Sequence, residues 1–425
     1  MLDIQYLRDH ADTIRQACRD KQLDPTVVAT ALDLDQKRRQ LLGQVEELRF
    51  QGNQNAAAMK KAIQETGAPD PDIIAQGSEL KKHLKELEPS LKEIEDLLKM
   101  ALYAIPNVPA SDVPVGPDES GNLIVRQMGA LPQFEFEPKP HYELMEKLDL
   151  LDTTQAVKIG GFRSYFLKNE AVLLEQALLN YALRKLAAAG FTTMTAPILV
   201  NETAMWGTGY LPWGKEDHYM TQDGQILAGT SEVALTSYYL DQTLNEKDLP
   251  IKMAGISPCF RREVGSYGKD TKGIIRVHQF MKVEQVVYTV ADENSTREWH
   301  QKMMELSESI LQDLELPYQV LLMCSGDMGA GQRKKYDIET WFPAQKAYRE
   351  THSASYFNDF QARRLNIRYR AQDGTLKYVY TLNNTMAASP RLLAAIIENY
   401  QQADGSIKVP TVLQELTGTQ RISRA

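Results

Sequence analysis

PCFRREVGSYGKDTKGIIRVHQFMKVEQ, residues Pro258 to Gln285, decides the fold. Basic and acidic side chains alternate into a stretch punctuated by Gly265, Gly268 and Gly273, and an apolar-and-charged segment returns. Two strands joined by a long loop fit this pattern. Such a hairpin holds fixed arginines against a phosphate, because a guanidinium fork matches phosphate oxygens. The glycines let the loop reach toward a larger partner, with Lys269 and Lys272 as phosphate contacts. Arg261 and Glu263, two apart, share a face if the strand continues. The chain has no GxGxxG and no GxxxxGK[ST], so neither a dinucleotide fold nor a P-loop is supported.

Working outward, the flanking sequence is mixed. Ala171 to Ala189 predicts an amphipathic helix closed by Gly190, and further helices are expected over Asp292–Leu314 and Pro390–Gln402. Strand-like runs lie between them: APILV, QILAG, KMAGI, CFRREV, HQFMKVEQVVY, YQVLLMC, LNIRYRA and KYVYTLN. Strands separated by long irregular connections imply an α+β fold on an antiparallel sheet rather than a βαβ alternation.

The first 110 residues differ. Leu80, Leu84, Leu87, Leu91, Ile94, Leu98 and Ala101 fall in alternating steps of four and three, the seam of a coiled coil. Leu34, Leu41, Val45 and Leu48 repeat at similar spacing, and GAPDPD at 67–72 breaks the helix between the two sets. The expectation is a long antiparallel helical arm, with helices of about 35 residues spanning roughly 50 Å and a local kink at Pro89. Spacing alone also allows a dimerisation coiled coil or a plain helical bundle. PNVPASDVPVGP, residues 106–117, is the expected boundary, dividing the chain into 1–110 and 111–425.

A chain of 425 residues with 43% hydrophobic and 24% charged residues is an ordinary globular composition. The net charge of −8 supplies no overall positive field, so any RNA contact must use local basic patches and be salt-sensitive. Cys18, Cys259 and Cys324 form no C-x-x-C pair, which argues against a zinc cluster or disulfide framework and for reduced thiols. The charged start MLDIQYLRDH and the lack of a membrane-length apolar run imply a cytoplasmic protein without a membrane partner.

Four separated segments carry the chemistry. In GTSEVAL (229–235), Thr230 and Glu232 are two apart on a segment expected to be extended, so a hydroxyl and a carboxylate face one way and can grip an ammonium. FRRE with the returning strand supplies Arg261, Glu263 and Phe280. In RETHSASYFNDFQARR (349–364), Glu350 and Ser353 can share one Mg²⁺ through oxygen. In TLNNTMAASPRLLAAIIENYQ (381–401), Pro390 opens a helix and presents Arg391 in its first turn, where a polyphosphate is well placed.

In this order the segments resemble the signature motifs of class II aminoacyl-tRNA synthetases, in the form carried by the seryl-tRNA synthetase family. Phe191–Pro212 is similar to the first motif, which forms a dimer interface and implies a homodimer. The resemblance implies an α+β class II catalytic domain preceded by a tRNA-binding coiled-coil arm. It places Arg261 and Arg391 as catalytic cations, on the α- and γ-phosphates. It implies a serine site of Thr230, Ser231, Glu232, Arg261, Glu284, Asn383 and Thr385. It implies an ATP site of Arg261, Arg262, Glu263, Val277, His278, Gln279, Phe280, Glu350, Thr351, His352, Ser353 and Arg391. Glu350 and Ser353 would bind Mg²⁺. Where the family reads E-[IV]-S-S-C-S this chain has ETHSAS, with Thr351, His352 and Ala354 as departures, and LNNTMAASPR replaces the common bacterial LNGSGLAVGR.

The implied reaction is activation of L-serine by ATP to seryl-adenylate, then transfer to the 3′ end of tRNA(Ser). No side-chain general base is required, since reaction at phosphorus needs positioning and charge neutralisation. The arm would grip the tRNA outside the anticodon, with Arg49, Lys60, Lys61, Lys81 and Lys82 as contacts. Two rival readings are an amino-acid activator that loads a carrier protein, which would normally lack the arm, and an inactive RNA-binding paralogue.

Overall fold

The computed structural model describes residues 1–265, 268 and 270–424. The chain folds as two compact units. One comprises residues 2–19 and 23–106; the other comprises 107–425 together with residues 1 and 20–22. The division falls at the start of the proline-rich stretch.

In the first unit, short helices α1 (Ile4–Asp9) and α2 (Ala11–Asp20) precede a long antiparallel pair, α3 (Thr26–Thr66) and α4 (Pro71–Tyr103). Gly67, at φ 73°, ends α3 in the left-handed conformation that glycine tolerates best. Asp70 caps α4 by accepting from the amides of Asp72 and Ile73, with Pro71 in the first position. Every seam residue from Leu80 to Ala101 is buried or half-buried, and every residue between them is exposed. Asn55 adds a polar lock, donating across the seam to Ile73 O at 3.0 Å and Gln76 Oε1 at 3.2 Å. At 41 residues, α3 is longer than expected, and spans about 60 Å. Helix α4 runs unbroken through Pro89, whose ring lies on the exposed face.

The second unit is organised by one eight-stranded sheet. Its strands are β1 (Leu123–Met128), β2 (Thr192–Thr195), β3 (Ile251–Phe260), β4 (Gln279–Thr289), β5 (Tyr318–Leu322), β6 (Lys334–Phe342), β7 (Ala347–Asn358) and β8 (Tyr380–Ala388). They lie in the order β1-β5-β6-β7-β8-β4-β3-β2. All neighbours are antiparallel except β2 and β3. Helices α5 (Glu170–Ala188), α7 (Glu293–Asp313) and α8 (Ser389–Asn399) cover it; the short α6 (Glu232–Thr236) lies between α5 and α7 in the chain, and α9 (Thr411–Thr417) follows α8. Leu174, Leu178, Ala182 and Leu186 recur every four residues on α5 and are fully buried. They join Val283, Val287, Tyr356, Leu382, Leu392 and Ile396 in one core.

Four local expectations are corrected. CFRREV does not continue as a strand: β3 stops at Phe260, and Glu263 has φ 55°. The segment holding Thr230 and Glu232 is not extended, because Glu232 opens α6. Strands β6 and β7 are central although no strand was expected there, and α9 lies beyond the helix taken as last. Both faces of the central sheet are covered, so polar Thr340, Thr351 and Ser355 are buried and the alternation that betrays a half-exposed strand is missing.

Candidate active site

Residues from β4, β6, β7, β8, the turn after β3 and the starts of α6 and α8 enclose a cavity of about 270 Å³. It gathers Glu232, Arg261, Glu263, Val277, Phe280, Glu284, Glu350, Thr351, His352, Ser353, Asn383, Thr385 and Arg391. Segments more than a hundred residues apart therefore converge on one space, as the four motifs predict.

Not every expected residue lines it. Thr230 and Ser231 are buried beside Glu232; Thr230 Oγ1 accepts from the Glu232 amide at 3.2 Å and Ser231 Oγ donates to Gly255 O at 3.4 Å. Thr230 thus shapes the start of α6 instead of sharing an extended face with Glu232. Arg262 is exposed and donates to Glu216 O at 2.8 Å. His278 and Gln279 line a neighbouring cavity, and Phe280 borders both. Lys269 lies outside the described residues.

Arg261 sits just past β3, its guanidinium 5.3 Å over the Phe280 ring and its Nε donating to Gly229 O at 3.3 Å. A side chain at position 229 would crowd it: a Cβ there would stand 3.3 Å from Phe260 O and 3.5 Å from Arg261 Cγ. Among the described residues no carboxylate pairs with Arg261, so its charge faces the cavity. Arg391, in the first turn of α8, donates to Glu350 O at 2.8 Å, Glu350 Oε2 at 3.0 Å and Ile275 O at 3.1 Å. Burial opposes ionisation of Glu350, but Arg391, Lys335 and Arg261 outweigh it and hold its carboxyl below the usual range.

One irregularity in β7 explains how Glu350 and Ser353 meet. Three residues apart on a regular strand, they would point to opposite faces. Opposite β6, however, Ser353 pairs with Asp337 and Glu350 pairs with Glu339, so Thr351 is an extra residue, a β-bulge. Asp337 and Glu339 are two apart on β6, and the bulge therefore brings Glu350 and Ser353 onto their shared face. Asp337 Oδ1 is buried with no hydrogen-bond partner, while Lys335 lies 2.9 Å from Oδ2. Burial raises the Asp337 pKa against the pull of Lys335.

The far end of the cavity is carboxylate-rich. Glu232 accepts from Tyr210 Oη at 2.8 Å and from Gln361 Nε2 at 3.0 Å, and Gln361 Oε1 in turn accepts from Thr381 Oγ1 at 2.6 Å. Burial, then the nearby Glu284 charge, pushes the Glu232 pKa up to about 7. Glu284 pairs with Lys282 at 2.5 Å and accepts from Thr385 Oγ1 at 3.4 Å. His352 is buried with Nδ1 2.9 Å from Thr351 Oγ1, and burial lowers its pKa to about 4, so its ring is neutral near pH 7.

Sequence reasoning missed several lining residues. Lys282 shares a strand face with Glu284, and that parity would have found it. Arg276, which donates to Glu263 Oε2 at 2.6 Å, lies inside the opening motif. Tyr210 and Lys335 carried no signal without their strand or turn. The loop's foot is also fixed: His141 Nε2 accepts from the Ile274 amide at 3.2 Å, and His141 Nδ1 lies 2.9 Å from buried Glu398. A Cβ on Gly273 would overlap the His141 ring.

Comparison with known proteins agrees with this geometry. Residues 1–109 match the model of the seryl-tRNA synthetase N-terminal domain, and residues 218–400 match that of the tRNA synthetase class II core domain (G, H, P, S and T). A serine–tRNA ligase of Deinococcus radiodurans is 43% identical, covering 99% of both chains. One from Desulfosudis oleivorans is 44% identical over 97% of both. The crystal structure of seryl-tRNA synthetase from Pyrococcus horikoshii complexed with ATP superposes with a TM-score of 0.92 at 37% identity, covering 100% of each chain.

Proposed function

Because the chain belongs to the seryl-tRNA synthetases, serine–tRNA ligases of class II, we propose that the 270 Å³ cavity binds ATP and L-serine side by side and forms seryl-adenylate. The observation carrying this reading is the convergence of three arginines, four carboxylates and an aromatic face on that one space. The ATP complex of the Pyrococcus relative supports the nucleotide.

The serine ammonium meets the Glu232 carboxylate, which Tyr210 and Gln361 hold in place, with Thr230 setting the backbone beneath it. The serine hydroxyl meets Glu284, which is paired with Lys282, beside Thr385 and Asn383. Arg261 leaves the Phe280 face as adenine stacks there, and its fork spans the serine carboxylate and the α-phosphate. Attack of a carboxylate oxygen on that phosphorus expels pyrophosphate, and Arg391 takes charge at the γ-phosphate end. Charge neutralisation and alignment do the work, with no proton transfer by a side chain.

Magnesium fits this site. The bulge presents the Glu350 carboxylate and Ser353 hydroxyl together, hard oxygen donors of the kind Mg²⁺ takes, and these two residues would hold it. Among the described residues no cluster of three or more His, Cys, Asp or Glu could hold a metal, so phosphates are needed. Bound there, Mg²⁺ would neutralise phosphate charge.

The arm, residues 1–110, is proposed to hold tRNA(Ser) through exposed cations that include Arg49, Lys60, Lys61, Lys81 and Lys82. A homodimer through the Phe191–Pro212 region is supported by nearby exposed apolar residues, Leu199 (43%) and Met220 (52%); sedimentation tests it. Cytoplasmic residence is supported by three buried free cysteines, and no described helix is long and apolar enough to cross a membrane.

Serine-dependent ATP–pyrophosphate exchange tests the activation step, run beside threonine and alanine. Exchange with serine alone, followed by charging of purified tRNA(Ser), is the expected result; no exchange with serine would overturn the site assignment.

A pH dependence also follows. The ammonium binds the charged form of Glu232, whose pKa in the empty site is about 7. Below that value serine must displace a proton, so KM for serine rises as pH falls, by at most about tenfold per unit. Above it KM levels off. Glu232→Gln should raise KM and flatten this profile, measured by exchange kinetics across the range.

A further inference from the structure

The serine end of the active site shares its wall with a second cavity, of about 200 Å³. Tyr210, Glu232, Gly329 and Gln332 line both spaces. Of these four, Gly329 has no side chain, Glu232 is committed to the substrate, and Gln332 is tied to the Gly329 amide and Ser355 Oγ. Tyr210 is the bulkiest. The chain reaches it through Gly209, at φ 87°, directly after the Glu202–Thr208 helix. Its ring packs edge-on to His218 with centroids 5.8 Å apart, and its hydroxyl donates to Glu232 Oε2.

We propose that Tyr210 is a specificity-determining residue: its ring closes the serine pocket against the second cavity, and its hydroxyl aims the ammonium-binding carboxylate. The proposal rests on Glu232 as the ammonium site.

The physical need is clear. Polar groups reject alanine, because a missing hydroxyl leaves them unpaired. They do not reject threonine, which keeps the hydroxyl and adds a methyl. Rejection of one extra methyl depends on a wall that cannot yield, and is worth about 10- to 200-fold. An adjoining void of 200 Å³ would erase it if the wall between were removed. Tyr210, held at its hydroxyl by Glu232 and at its ring by His218, is that wall.

Exchange kinetics with serine and threonine, on the full-length protein, separate the two parts of the role. Y210F keeps the ring and loses the hydroxyl. It should raise KM for serine about tenfold with kcat little changed, and keep the serine-to-threonine preference. Y210A joins the cavities, and its preference for serine over threonine in kcat/KM should fall at least tenfold. Y210L, which keeps an apolar contact, serves if Y210A does not fold. Wild-type preference in Y210A or Y210L overturns the wall, and an unchanged serine KM in Y210F overturns the aiming. E232Q is the control for the underlying reading: if it leaves serine KM unchanged, the ammonium site itself is misplaced, whatever Tyr210 does.

Discussion

Arg261→Ala loses serine-dependent ATP–pyrophosphate exchange by about 10³-fold or more in kcat/KM, yet melts no lower than the wild type. The loss follows from position. Arg261 lines the cavity, and in the proposed reaction it stands where negative charge gathers as the carboxylate meets the α-phosphate. A cation aimed at such a centre is worth about 10²–10⁵ in rate. The undiminished melting temperature follows from its surroundings. Among the described residues its partners are a carbonyl and an aromatic face, not a carboxylate. Removing a half-buried cation that lacks a counter-charge breaks no ion pair and relieves some desolvation. Arg261→Lys should recover little, because a point charge cannot bridge two anions as a fork does. Exchange kinetics and calorimetry on the same preparations check both halves. A variant that unfolds early, or that keeps its activity, would show that Arg261 is structural.

The second large effect concerns the arm. Arg49 and Glu88 pair across it at 2.8 Å, marking where the two helices stand opposite. Deleting residues 49–88 and joining the ends by a short glycine turn removes the outer part while retaining Val45 and Leu91 at the seam. Charging of tRNA(Ser) should fall about a hundredfold or more, since phosphate contacts dominate nucleic-acid affinity. Exchange should stay within about twofold of wild type, because the cavity draws no residue from 2–106. Charging by the intact protein should weaken steeply with salt while exchange does not. Equal loss of both activities would contradict a separate tRNA-binding role.

The arm was legible in the sequence because one seam does one job. From Leu80 to Ala101 the positions spaced four and three apart are covered and those between them, Leu97 and Met100 included, are exposed, so the spacing marks the seam. The active site was legible where chemistry sets residue type: Arg261, Glu350 and Arg391 line the cavity as expected. It was obscure where backbone geometry departs from a regular element. The turn after Phe260 gives Glu263 a positive φ, and parity along a strand no longer says where its carboxylate points. Glu232 opens a helix in place of extending a strand, so its link to Tyr210 is tertiary and leaves no trace in local pattern. Strands β6 and β7 were hidden by burial on both faces, which removes the polar–apolar rhythm.

Thr351 shows how much chemistry can hang on the number of residues instead of their kind. Were β7 instead to pair with β6 through Thr351 without the bulge, the two strands would still form a continuous ladder. Yet every side chain on the Arg349 side of that point would turn over, and Glu350 would be carried away from Ser353. The one-residue slip is therefore what sets a carboxylate and a hydroxyl, three apart in the chain, on a single face.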